Sequence, residues 1–186
     1  MTRVHFVKKS RKDYPDFGIK KGDSYYWWSF KFGPTLKSKI QPKLSQLTQS
    51  EFLGSIYDIS DRIESLSTYD DLESEVSEII SELETLRDDC EEKRSNMPEQ
   101  LQDSGSGEIL QNRVDSVQEM IDELEGINTE IEEPTDEEVK DDIGEKEQDE
   151  TKERYEERLE ERREEMSDDR KEEILTEIQN ISYNGE

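Results

Sequence analysis

The chain has 186 residues and a formal net charge of −26, with only 28% hydrophobic and fully 41% charged residues. Typical globular domains are about 45–50% apolar and about 25% charged, so this composition excludes one large hydrophobic core. The apolar residues must therefore be concentrated in narrow helical seams or in a small module.

Residues 1–44 are predicted to form a basic, aromatic-rich β module. The first 43 residues hold eleven Lys and Arg but only three Asp, a net charge of +8, and nine of the 14 aromatic residues fall before position 34. Residues 3–9 and 24–32 alternate as strands, 10–23 reads as a loop, and 35–40 returns as a third strand after a Gly-Pro turn. The sequence thus predicts a three-stranded antiparallel sheet.

Alternation along residues 24–32 sorts the side chains onto two faces of this sheet. One face is predicted to form a miniature core and carries Tyr26, Trp28, Phe30 and Phe32. The other face, together with the return strand, is predicted to meet solvent and carries Tyr25, Trp27, Lys31, Lys37 and Lys39.

A solvent-exposed face with lysines and aromatic rings is typical of nucleic-acid binding. Lysines neutralise phosphates and release counterions, and a ring stacked on an unpaired base is worth about 1–3 kcal/mol. The candidate nucleic-acid-binding residues are Tyr25, Trp27, Lys31, Lys37, Lys39, Lys8, Lys9 and Arg11. Two alternatives stay open: a small structural sheet with a solvated basic rim, and binding of an acidic protein surface, including the acidic part of this chain.

Residues 45–131 carry three apolar seams that predict a helical hairpin or bundle. The first helix is predicted to begin with a capping box of Thr48 and Glu51. Its seam, and that of the second helix after an interruption at 67–70, alternate spacings of four and three, which favours left-handed helix packing. The seam residues are Phe52, Ile56, Ile59, Ile63 and Leu66, then Leu72, Val76, Ile79, Leu83, Leu86 and Cys90.

The segment 97–107, MPEQLQDSGSG, is predicted to break the second helix and to form a flexible link. The second and third helices are predicted to form an antiparallel hairpin with the first helix alongside. The seams fit a helical bundle within one chain and equally a coiled-coil homo-oligomer. The seam of the third helix is Leu110, Val114, Val117, Ile121 and Leu124, continued by Ile127 and Ile131.

Residues 132–186 are predicted to be an acidic segment, helical or partly disordered, with a short closing helix at 174–181. Between 132 and 173 there are 22 acidic and nine basic residues. Thr135 and Glu138 match a capping box. Ion pairs between residues four apart are predicted along the helix, at Asp136–Lys140, Asp142–Lys146 and Glu150–Arg154.

No enzymatic activity, cofactor or metal site is predicted. His5 is the only histidine, Cys90 is the only cysteine, and neither a phosphate-binding Gly loop nor a calcium-binding loop occurs. No apolar run reaches the ~20 residues that cross a bilayer, and the N-terminus lacks a signal-peptide pattern. The sequence therefore predicts a cytoplasmic protein without membrane contact.

Two resemblances add to these predictions. The stretch SYYWWSFKFGPTLKSK and the helix after it resemble the arm-type DNA-binding modules of phage integrases, whose catalytic Arg, His and Tyr set has no counterpart here. The stretches SYYWWSFKFG, LSQLTQSEF and SNMPEQLQDSGSGEILQNRVDSVQEMIDELEGI resemble proteins of tailed bacteriophages that carry no assigned activity. The second resemblance covers residues 1–131 and implies the cytoplasm of an infected host cell as the setting.

The leading hypothesis is a non-enzymatic interaction protein that contacts nucleic acid through the basic sheet and uses its acidic helices for assembly or spacing. A second hypothesis makes the acidic body the active surface, which would imitate DNA and occupy a basic host protein. A third hypothesis is a structural component of a virion.

Overall fold

The structure, a computed structural model, describes residues 2–69, 71–146 and 150–185. Asp70, in the predicted interruption at 67–70, and residues 147–149 of the acidic segment lie outside the described residues. The predicted fold class, mostly α with a small N-terminal antiparallel sheet followed by helices, is confirmed. The elements are β1 (His5–Val7), β2 (Tyr25–Ser29), β3 (Thr35–Ser38), α1 (Glu51–Ser65), α2 (Leu72–Ser95), α3 (Glu99–Gln102), α4 (Gly105–Gly126), α5 (Asp136–Ile143) and α6 (Lys152–Gln179).

The chain divides into two compact units, Met1–Arg62 and Ile63–Glu186. The first unit extends past residue 44, where the sequence places the end of the β module. The indole of Trp28 donates a hydrogen bond to the carbonyl of Gln46 at 3.1 Å, which holds the 3-10 turn Leu44–Leu47 against the sheet. The sheet and the start of the helical part therefore share one small core.

The sheet of the first unit has β2 at its centre, antiparallel to both neighbours. His5 of β1 lies opposite Trp27, and Trp27 lies opposite Lys37 of β3. Residues that lie opposite one another point to the same face. The C-terminal ends of β1 and β3 consequently meet the N-terminal start of β2 at one end of the sheet.

The predicted core face of the sheet is confirmed at one position and wrong at another. Trp28 is 3% exposed, as predicted, whereas Phe32 is 93% exposed. The strand β2 ends at Ser29, so strand alternation does not reach Phe32. Tyr26 and Phe30 are half-buried. The turn Leu44–Leu47 covers the Trp28 end of this face.

The start of α1 differs from the predicted capping box of Thr48 and Glu51. The hydroxyl of Ser50 accepts a hydrogen bond from the backbone N–H of Leu53 at 3.3 Å, so Ser50 caps the helix. The hydroxyl of Thr48 accepts from the N–H of Ser50 at 3.1 Å and shapes the approach to the helix. The predicted seam is buried throughout, at Phe52, Ile56, Ile59, Ile63 and Leu66.

The helices α2 and α4 of the second unit run antiparallel, as predicted. Tyr69, just before α2, donates a hydrogen bond to the carbonyl of Thr129, beyond the end of α4. Further along, Arg87 donates to the side-chain oxygen of Gln118 at 2.7 Å. The buried side chains are Leu72, Val76, Ile79, Leu83 and Cys90 of α2 and Val114, Val117, Met120, Ile121 and Leu124 of α4.

The connection between α2 and α4 is more ordered than the predicted flexible link at 97–107. It contains α3, and its last three residues already belong to α4. Gly107 is buried where the backbone of Gln102 passes close to it. At the other end, α4 stops at Gly126, so Ile127 and Ile131 do not continue its helical face as predicted.

The acidic segment contains two helices, with the predicted capping box confirmed at the start of α5. Glu138 accepts hydrogen bonds from the backbone N–H of Thr135 at 2.7 Å and from its hydroxyl at 2.9 Å. The predicted closing helix at 174–181 is instead the last part of the 28-residue α6. There Ile178 is fully buried, and Gln179 donates to the carbonyl of Leu66 at 2.6 Å.

The acidic residues of the predicted pairs along the helix bond to arginines of α6. Two of these ion pairs join α5 to α6: Arg162 contacts Asp142 at 2.6 Å, and Arg163 contacts Asp136. Glu150, in the chain just before α6, pairs with Arg158 at 3.2 Å. The contacts of Arg162 and Arg163, and a further pair, Arg170–Glu138 at 2.9 Å, tie α5 and α6 together.

Candidate nucleic-acid interface

One end of the sheet gathers half of the basic residues of the first unit. Backbone hydrogen bonds from Ser10 to Asp23 at 2.8 Å and from Gly22 to Ser10 at 2.9 Å hold the chain after β1 beside the chain before β2. Antiparallel pairing brings the end of β3 to the same place. We call this surface the basic end, and its residues are Lys8, Lys9, Arg11, Lys20, Lys21 and Lys39.

A tight loop shapes the basic end from local interactions. Gly18 and Gly22 have φ values of 62° and 102°, a backbone conformation that residues with a side chain rarely adopt. The carboxylates of Asp13 and Asp23 accept hydrogen bonds from the backbone N–H groups of Lys21 and Lys20, at 2.6 and 3.0 Å. The side chains of the two lysines take no part in these bonds and are exposed.

The cations of the basic end differ in their partners. Lys39 pairs with Asp23 at 2.9 Å. The backbone bond from Lys20, and then Lys39, hold the pKa of the Asp23 carboxyl below its ordinary value. Among the described residues, Lys8, Lys9 and Arg11 have no carboxylate partner, and all three are exposed. These three cations can contact phosphates without first breaking an ion pair.

Three other predicted binding residues have structural contacts of their own. Tyr25 is 8% exposed beneath the ring of Tyr14, 5.6 Å between centroids, so the prediction that it meets solvent is wrong. The hydrogen bond with Tyr14 and burial raise the pKa of the Tyr25 phenol. Lys37 is half-buried, with its ammonium 4.6 Å from the centre of the Tyr14 ring. Trp27 is half-buried and stacks on His5 at 4.2 Å.

Lys31 lies away from the other predicted residues. It follows the C-terminal end of β2, at the opposite end of the sheet from the basic end. Its ammonium lies 5.4 Å from the ring centre of the exposed Phe32. The candidate set from the sequence therefore splits into residues of the basic end, residues that pack inside the unit, and Lys31.

The sequence did not indicate the exposed position that Phe6 has in the structure. Its side chain is 58% exposed on β1 and lies against Tyr26 of β2, with 4.9 Å between ring centroids. Phe6 stands two residues before Lys8, so an accessible ring borders the basic end. Neither Lys20 nor Lys21 was among the predicted residues, although the KK pair between two glycines is a signal for a basic turn.

Comparisons with protein-family models, curated proteins and solved structures found no match to this chain. Within the described ranges, no group of three or more His, Cys, Asp or Glu residues is arranged to hold a metal ion. Over the same part of the chain, every helix is too short or too polar to span a bilayer.

Proposed function

We propose that this is a non-enzymatic protein that binds single-stranded nucleic acid through the basic end of its first unit. The observation that carries the proposal is the position of the exposed Phe6 ring, which packs on the half-buried Tyr26, close in the chain to Lys8, Lys9 and Arg11. Unpaired bases have free faces that stack on such rings, whereas the bases of a duplex are already stacked. The acidic helices of the second unit serve assembly or spacing.

The proposed contact has an electrostatic and a stacking component. Each phosphate neutralised on a single strand contributes about −0.7 to the slope of log K against log salt concentration. Three cations without carboxylate partners therefore contribute a slope of about −2. One stacked base adds about 1–3 kcal/mol and depends little on salt.

The first test removes the three cations together, in the full chain with Lys8→Gln, Lys9→Gln and Arg11→Gln. We expect the affinity for a labelled 20-nucleotide oligo-dT or oligo-U to fall at least tenfold at low salt, and the salt slope to become shallower by about 2. Fluorescence anisotropy between ~20 and ~200 mM NaCl measures both. The matched control, Lys93→Gln with Lys140→Gln and Lys146→Gln, removes the same charge from exposed positions of the acidic unit.

Two exposed phenylalanines provide a matched pair for the stacking contribution. Phe6 borders the basic end, and Phe32 lies at the opposite end of the sheet. Phe6→Ala is expected to weaken oligo-dT binding about fivefold or more, and Phe32→Ala to leave it unchanged. Absence of binding by the unaltered chain at ~20 mM salt, or tighter binding of a 20-base-pair duplex than of either strand, would refute the proposal.

The second candidate function is an acidic surface that occupies a basic nucleic-acid-binding protein. The continuity of α6 favours it, because a 28-residue helix is about 42 Å long at 1.5 Å per residue and carries carboxylates at regular spacing. The test is capture of a basic protein from bacterial lysate by the full chain. Glu157→Gln with Glu160→Gln and Glu164→Gln should abolish capture, whereas the triple variant of the basic end should retain it. If the acidic variant retains capture and the basic-end variant abolishes it, the acidic surface is excluded as the site of capture.

A further inference from the structure

A cleft of about 580 Å³ opens at the end of the sheet opposite the basic end. Its volume is within the range of about 300–1,000 Å³ that small-molecule sites occupy. Every residue that lines it belongs to the first unit.

The charged residues that line the cleft are both cations. Arg3 precedes β1 and Lys31 follows β2, so antiparallel pairing of the two strands brings them to the same end. Both side chains are exposed, and among the described lining residues no carboxylate faces them. An arginine and a lysine that line the same cleft without a counter-charge favour a phosphate group, which the guanidinium can bind in a bidentate manner.

The rest of the lining combines an apolar wall with hydrogen-bonding groups. The half-buried ring of Phe30 and the side chains of Leu44 and Leu53 form apolar surface. The lining also includes hydroxyl and amide groups, which come from Thr2, Ser29, Thr48, Gln49 and Tyr57. Such a site fits a ligand that has a flat apolar body, several polar atoms on its edges and one anionic group.

The walls of the cleft are held in place by contacts outside its lining. The hydrogen bond from Trp28 to Gln46 fixes the turn Leu44–Leu47 to the sheet. The ion pair of Lys43 with Asp61, at 3.0 Å, connects the same turn to α1. On the inner side of α1, Phe52 and Ile56 are buried. A site whose walls are already ordered binds its ligand at a smaller entropic cost.

We infer that this cleft binds a nucleoside monophosphate, with the phosphate on Arg3 and Lys31 and the base against Phe30 and the leucines. The ribose and the polar edge of the base then face the hydroxyl and amide groups. This inference goes beyond the proposed function, because the cleft and the basic end share no residue. Strand binding and mononucleotide binding can therefore fail separately.

The test is an NMR titration of the ¹⁵N-labelled full chain with AMP, with adenosine and inorganic phosphate as partial ligands. AMP is expected to shift amide signals of residues 2–3, 29–31 and 44–57 and to bind at least tenfold more tightly than either partial ligand. Arg3→Gln with Lys31→Gln should weaken AMP at least tenfold and leave adenosine unchanged. Leu53→Trp, which fills the apolar part, should weaken both.

The triple variant of the basic end is the control, since it removes three cations from the same unit. It is expected to bind AMP as the unaltered chain does. Three results would overturn the inference: no amide shifts at ~2 mM AMP and low salt, shifts centred on residues 8–11 and 20–21, or equal weakening by the cleft and basic-end variants. Circular dichroism at 222 nm shows that each variant is folded.

Discussion

Gly107 is the residue at which the structure tolerates a side chain least. A Cβ atom built there would lie 2.0 Å from the carbonyl oxygen of Gln102, a backbone atom that cannot rotate away. We expect Gly107→Ala to destabilise the protein by about 2 kcal/mol, within the range of overpacking substitutions. Urea unfolding followed at 222 nm measures the change.

Gly105, two residues earlier in the same helix, is the matched control. A Cβ built there meets nothing within 4 Å. Ala has the higher helix propensity, so Gly105→Ala should be neutral or stabilising by up to about 1 kcal/mol. Similar losses of stability from the two substitutions would mean that the close approach between α3 and α4 is not what requires glycine at 107.

The two-face pattern of β2 shows what sequence alternation can and cannot predict at single residues. Alternation places Tyr25 and Trp28 on opposite faces, and the register agrees. Which of them is buried depends on what covers each face. Tyr14, from a loop without periodicity, covers Tyr25, and the turn at Gln46 covers Trp28. The exposed ring at Phe6 could not be foreseen for the same reason.

At the scale of elements, the pairing of α2 with α4 was predictable, whereas the contacts between α5 and α6 were not. The seams of α2 and α4 follow from local spacing, because apolar residues three and four apart share a helix face. Some arginines of α6 contact carboxylates of α5 that are 20 or more positions away, as Arg162 does with Asp142 and Arg163 with Asp136. Sequence spacing along one helix has no information on such contacts between helices.

The capping box of α5 couples this element to pH. Hydrogen bonds from the backbone and hydroxyl of Thr135, and then the charge of Arg170, hold the pKa of Glu138 below its ordinary value. A carboxyl whose pKa is lower in the folded state stabilises that state above its unfolded pKa. This contribution is lost as the pH falls through the lower, folded value. The contribution of Glu138 to the capping box and to its pair with Arg170 is therefore lost in acid.

At the scale of the whole molecule, charge is divided between the two units. Residues 1–62 have a net charge of +6, and residues 63–186 have −32. Like charges repel nucleic acid from the second unit, so a strand is directed to the basic end. At ~0.15 M salt this field is screened over about 8 Å, and local contacts then determine the affinity.

The same charge predicts that salt stabilises the fold. Folding concentrates the net charge of −26, and salt screens the resulting repulsion. The exposed ion pairs that salt also weakens contribute only about 0–1 kcal/mol each. Repulsion should therefore dominate, and raising NaCl from ~20 to ~500 mM should raise the melting temperature by about 5 °C, the equivalent of about 2 kcal/mol.

Two double variants that remove the same charge distinguish the effect of net repulsion on stability from the effect of the ion pairs. Glu157→Gln with Glu161→Gln removes exposed carboxylates of α6 and should raise the melting temperature at ~20 mM NaCl and reduce its salt dependence. Asp136→Asn with Asp142→Asn removes the same charge but also the contacts to Arg163 and Arg162, so the gain should be absent. Circular dichroism melting curves measure both. A melting temperature that falls with salt in the unaltered chain would show instead that the contacts between α5 and α6 outweigh the net repulsion.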